Sequence, residues 1–155
     1  SNGELSIATE HVASNIVHSL IKVISDDFRK SKQDKGVVIL TTPVGEDHDL
    51  GCDVLDSFLI SRGFITFNLS PSTPSESLIE FIKTAKPDAL FVSITLEDNI
   101  RSGQRLVKKI HYKYKKLPIF IGGQAFSQKT NFRFEGKLIT DTHMLEQMPR
   151  IIKKK

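Results

Sequence analysis

A chain of 155 residues, 39% apolar and 26% charged, is long enough for one full core and too ordinary in composition for disorder or a disulfide scaffold. No apolar run approaches the roughly 20 residues that a membrane span needs, and the single Cys52 cannot form an internal disulfide, which suits a reducing cytosol. The net charge of +4 is partly local, because Lys108, Lys109, Lys113, Lys115 and Lys116 crowd one predicted helix end and Lys153 to Lys155 close the sequence. Without interleaved arginines or a recognition motif, that crowding reads as a solvated helix end rather than a nucleic-acid patch.

Residues 5–30 predict one long amphipathic helix. Val12, Ile16, Leu20, Ile24 and Phe28 recur every four residues, and Val17 and Ile21 widen the stripe. Ser31 to Gly36 form a polar linker. After it, short apolar runs predict strands at Val37–Leu40, Phe64–Leu69, Ala89–Ser93, Ile119–Ile121 and, more weakly, Lys137–Ile139. Helices are expected near 49–62, 75–85, 99–116, 124–131 and 142–153. Pro74 at the start of one and Pro87 after its end fit their usual places. Alternation of this kind implies an α/β fold with a five-stranded parallel sheet, covered on both faces and flavodoxin-like (Rossmann-like) in strand order. The first helix stands outside the alternation and reads as the terminal helix of a helical cap over residues 1–31, ahead of a sheet domain over 36–155.

Three loops at carboxyl ends of strands carry unusual residues, and in an open α/β sheet that is where ligands bind. The first is Gly45-Glu46-Asp47-His48-Asp49-Leu50-Gly51. An imidazole with an acid two residues before it can ligate a metal through one nitrogen while the carboxylate holds the other. Gly51 would let a bulky ligand lie against the backbone. The second is Ser93-Ile94-Thr95, two hydroxyls at the end of a buried strand; the third is Gly122-Gly123 after the fourth strand. Asp49 is placed to cap the following helix, and Cys52 is placed for burial against the sheet. Asp47, Asp49 and Asp53 would suit a magnesium site, yet the companion lysine of a phosphoacceptor pocket is not evident. The phosphate-loop ending Gly-Lys-Ser/Thr is absent too. His18, His111 and His143 read as surface or partly buried residues.

The order Glu46-x-His48-x-x-Gly51, then Ser93-x-Thr95, then Gly122-Gly123 resembles the cobalamin-binding Rossmann-like domain, whose signature is Asp-x-His-x-x-Gly, Ser-x-Thr or Ser-x-Leu, and Gly-Gly. Glu46 stands where the commonest form has Asp, a feature shared with some regulator-type members. In the first helix, Thr9-Glu10-His11-Val12-Ala13-Ser14 is similar to the end of the cap of cobalamin-dependent photoreceptor regulators, in which a Glu-His pair faces the upper side of the corrin. The Trp that such regulators carry upstream has no counterpart, since the chain contains no Trp.

The resemblance implies adenosylcobalamin or methylcobalamin as cofactor, bound with its own nucleotide base off cobalt and His48 in its place as lower axial ligand. Glu46 would orient His48, Asp47, Asp49 and Leu50 would complete that loop, and the detached tail would run toward Ser93, Thr95, Gly122 and Gly123. Glu10 and His11 would stand over the upper face. The expected function is the cobalamin-sensing, light-responsive half of a cytoplasmic transcriptional regulator, self-associating and meeting nucleic acid only through a domain outside this chain. The alternative is a corrinoid methyl carrier of a methyltransferase system. The chain shows no acid–base pair or nucleophile for a complete reaction, so even then it would be a carrier subunit rather than an enzyme by itself.

Overall fold

The computed structural model describes residues 6–127 and 132–152. Its elements in chain order are α1 (Ile7–Arg29), β1 (Val37–Thr41), α2 (Leu50–Ser61), β2 (Ile65–Asn68), α3 (Ser75–Ala85), β3 (Ala89–Ser93), α4 (Ile100–Lys113), β4 (Ile119–Gly122), β5 (Lys137–Leu138) and α5 (Thr142–Ile151). The five strands are parallel in the order β2-β1-β3-β4-β5, as the alternation predicts.

The central strands form where apolar runs are continuous, because both their faces are buried. Val38, Ile39 and Leu40 of β1 and Leu90 and Val92 of β3 have no exposed surface. One core layer packs α3 and α4 on the sheet through Leu78, Ile82, Leu106, Val107 and Ile110. The other packs α2 and α5 through Leu55, Leu59, Met148 and Ile152. Local signals end the helices as expected. The Ser6 hydroxyl caps α1 at Thr9 N, Asp141 caps α5 at Met144 N, and α3 stops where Lys86 turns left-handed ahead of Pro87.

One expected element changes. Where a helix is expected over 124–131, the described residues form a short 3-10 turn, Gln124–Phe126, and residues 128–131 lie outside those described. Buried Phe126 meets the rings of Phe132 and Phe134 edge-on at 6.4 and 5.6 Å. Residue 5 and Lys153 to Lys155 also lie outside the described residues.

Helix α1 lies along α2. Its apolar stripe faces away from the sheet: Val12, Ile16, Leu20 and Ile24 are 50–59% exposed. The opposite, polar face docks on α2. Buried Ser25 lies in that seam, Arg29 pairs with Asp56 at 3.0 Å, and His18 reaches the first turn of α2. Among the described residues no helix is long and apolar enough to cross a membrane.

Candidate functional site

The strand order reverses between β1 and β3, and the loops leaving these strands meet there. After Thr41 the first loop turns sharply, with Gly45 at φ +88° and Glu46 N donating to Pro43 O at 3.0 Å. The Thr42 hydroxyl donates to Glu46 O at 2.9 Å, and Ser72 N donates to that hydroxyl at 2.7 Å and to Glu46 O at 3.1 Å. The loop is therefore fastened from both sides.

Glu46 has no exposed surface. Its Oε1 accepts from His48 N at 3.2 Å and from His48 Nδ1 at 2.7 Å. Its Oε2 accepts from Thr95 N at 2.9 Å and from Leu96 N and Asn99 Nδ2 at 3.0 Å. Burial pushes the carboxyl's pKa up, but the donors on Leu96, Asn99, His48 and Thr95 outweigh it and hold the pKa below the ordinary value. An ionised carboxylate only accepts, so the proton of a neutral His48 ring sits on Nδ1. Nε2 is then the free donor atom, on a side chain 52% exposed.

The flanking residues divide. Asp47 is exposed, and so are Leu50 and Gly51. Asp49 occupies the N-cap position of α2 but makes no capping bond, a correction to its expected role. Its carboxylate instead faces His18 Nε2 at 3.5 Å, while His18 Nδ1 bonds Asp53 at 2.6 Å. That same engagement takes Asp49 and Asp53 away from a magnesium site. A Cβ on Gly51 would stand 3.1 Å from the Ser93 hydroxyl, so the Gly51 backbone and Ser93 form one narrow wall. Ser93 is buried. Cys52 beside it is inert: burial first, then the charges of Asp53 and Asp49, push its pKa up to about 12 against the pull of the Ser70 and Ser93 hydroxyls.

Thr95 enters the site through its backbone N–H on Glu46. Gly122 and Gly123 are required by the protein itself. A Cβ on Gly122 would press on Phe91 and on Ile139 O, and one on Gly123, at φ +118°, would run into the Ile94 backbone. The close approach that these glycines allow is first of all that of β3 to β4. Glu10 and His11 are exposed, and no hydrogen bond or ion pair joins them to the three loops among the described residues. Because His18 touches the start of α2 and α1 runs alongside it, His11 lies about 10 Å further along the helix axis, past the carboxyl edge of the sheet.

Sequence reasoning missed Asn99, Ser72 and His18. Only His18 carried a signal, as a histidine opposite the apolar stripe. Among the described residues no three or more His, Cys, Asp or Glu side chains are grouped to hold a metal ion. One exposed imidazole, steadied by a buried carboxylate, fits a metal that arrives with its own equatorial ligands. A corrin supplies them, and His48 Nε2 would complete the set.

Comparisons with known proteins bear on the family and the cofactor. Over 91 residues, 57% of this chain and 42% of the relative, the sequence is 31% identical to the trimethylamine corrinoid protein of Methanosarcina barkeri. The fold matches a chain of the methanol:cobalamin methyltransferase complex of Methanosarcina barkeri with a TM-score of 0.68 at 20% identity, covering 79% of this chain and 48% of that one. It matches the monomethylamine corrinoid protein of the same organism with a TM-score of 0.68 at 17% identity, covering 83% and 63%. The chain thus spans less than two thirds of each of these proteins. A model of the B12 binding domain matches residues 36–142, which takes in all three loops and the whole sheet. The chain therefore belongs to the B12 binding domain family, and its cofactor is cobalamin.

Proposed function

We propose that the domain holds cobalamin base-off with His48 Nε2 as the lower axial ligand, and that it serves as the corrinoid carrier of a methyl-transfer system. The observation that carries the first part is the Glu46–His48 pair. A buried carboxylate at 2.7 Å fixes the ring and its tautomer and leaves the other nitrogen outward. Ser93, Thr95, Gly122 and Gly123 would line the cleft for the detached tail, with Asp47, Asp49 and Leu50 completing the loop. When bound, cobalamin supplies a cobalt–carbon bond that can be made and broken. The protein's own part is to hold the lower nitrogen and to raise its basicity through Glu46.

Methyl carriage is supported by the matched relatives, which are named as corrinoid proteins or belong to a methyltransferase complex. A partner methyltransferase would then meet the domain at the carboxyl edge of the sheet. One observation favours a second reading, in which the domain senses cobalamin for a transcriptional regulator: α1 carries Glu10 and His11 past that edge. The exposed stripe of α1 supports its reading as part of a helical cap under either function.

The test is the absorption spectrum of purified protein mixed with methylcobalamin, which should be of the base-off/His-on type. His48→Ala should lose that spectrum, and Glu46→Gln should weaken binding about 10- to 100-fold. An unchanged spectrum in His48→Ala overturns the ligand assignment. Illuminating the adenosylcobalamin complex separates the functions: a light-driven change of oligomeric state favours sensing, and methyl transfer to a partner's substrate favours carriage.

A further inference from the structure

On the α3/α4 side of the junction between the β1 and β3 loops lies a depression of about 510 Å³, a size ordinary for small-molecule sites. Its walls are the β1–α2 loop at Val44, the start of α3 at Ser75 and the first two turns of α4. Arg101 and Arg105 stand four residues apart there, on one face of α4. We propose that this depression is a binding site for a small molecule bearing an oxyanion, phosphate or carboxylate, recognised by the Arg101 and Arg105 guanidinium groups.

The case rests on what is left over once the walls are fixed. The Ser102 hydroxyl donates to Val44 O at 2.9 Å, and Asn99 Nδ2 donates to Gly45 O at 3.2 Å and to Glu46 Oε2. The Ser75 hydroxyl bonds Glu76 at 2.9 Å. The neighbouring Lys109 is likewise spent, on Glu76. Arg101 and Arg105 have no ion-pair or hydrogen-bond partner among the described residues.

Two planar guanidinium groups on residues lining one cavity can match an oxyanion's geometry, which single lysine charges do not. Asp98 also lines the depression, so the site keeps a net positive charge and favours a ligand with a donor group beside its anion. Asn99 and Ser102 form the wall between this site and Glu46, so occupancy here bears on the loop that carries His48.

The experiment is an amide NMR titration of the whole chain without cobalamin, at constant ionic strength set with sodium chloride. One arm uses inorganic phosphate and the other succinate, and the arm that saturates identifies the oxyanion. The proposal expects saturable shifts confined to residues 44–46, 73–75 and 98–106. Arg101→Ala and Arg105→Ala should each weaken binding by about tenfold or more, and Lys113→Ala, at the far end of α4, should titrate like the parent. Shifts no larger than those from chloride in both arms overturn it. So do equal weakening in Lys113→Ala, or binding retained when both arginines are replaced.

Discussion

Glu46 concentrates the electrostatics of the site in one carboxylate, and its titration is a measurable consequence. Burial raises its pKa, but the donors from Leu96, Asn99, His48 and Thr95 bring it below the ordinary 4.5. A carboxylate with a lowered folded pKa stabilises the fold fully above its unfolded value, and that contribution is lost as pH falls through the folded one. Urea unfolding of the cobalamin-free protein should therefore show stability declining below pH 4.5, with part of the decline missing in Glu46→Gln. At pH 7 the same substitution should cost about 1–3 kcal/mol, because the new amide turns N–H groups toward the N–H groups of Thr95 and Leu96. An identical pH slope in parent and variant would remove Glu46 from this role. Gly123 gives a second outcome at this scale. With φ at +118° and the Ile94 backbone in the path of any Cβ, Gly123→Ala should cost roughly 2–4 kcal/mol by the same measurement. The Glu46–His48 pair was legible in the sequence because its members are two residues apart on one loop. Asn99 is 53 residues from Glu46 and His18 is 35 from Asp53, so those bonds exist only after strands and helices have been placed side by side.

At the scale of elements, periodicity told which face of a helix is apolar but not what that face meets. All five strands and their order follow from apolar runs between turn residues, since a strand buried on both faces leaves that mark on its own sequence. For α1 the stripe was legible and its direction was not: the bonds that tie it to α2 come from His18 and Arg29, polar residues that carry no periodic signal. An outward stripe has a direct test. Ile16→Glu and Leu20→Glu replace side chains 55% and 58% exposed, so each should change unfolding free energy of this chain by no more than about 0.5 kcal/mol. Leu59→Ala, at a fully buried position of α2, should cost about 2–5 kcal/mol. Glutamates that cost as much as Leu59→Ala would mean that the stripe is already packed, against a second copy of the chain for instance.

For the whole molecule, the decisive property is that the order β2-β1-β3-β4-β5 reverses direction between β1 and β3. From that point α2 and α5 cover one face of the sheet and α3 and α4 the other, so the two loops joined through Glu46 lead to opposite layers. A ligand seated there ties the two layers together, and binding becomes stability. With free cobalamin at 100 times its dissociation constant, the folded state should gain about 2.7 kcal/mol, which raises the unfolding temperature by roughly 5–10 °C for a domain of this size. His48 is half exposed but donates one bond to the buried Glu46 carboxylate, so His48→Ala should lower the cobalamin-free unfolding temperature by about 2–8 °C. The ligand effect is read as the shift within each protein. The variant's shift on adding the same cobalamin concentration should be much smaller, because the lost axial bond raises the dissociation constant. Calorimetric scans of parent and variant, with and without methylcobalamin, read all four values. Equal shifts in the two proteins would mean that the domain binds cobalamin without His48, and the lower ligand would then have to be sought elsewhere.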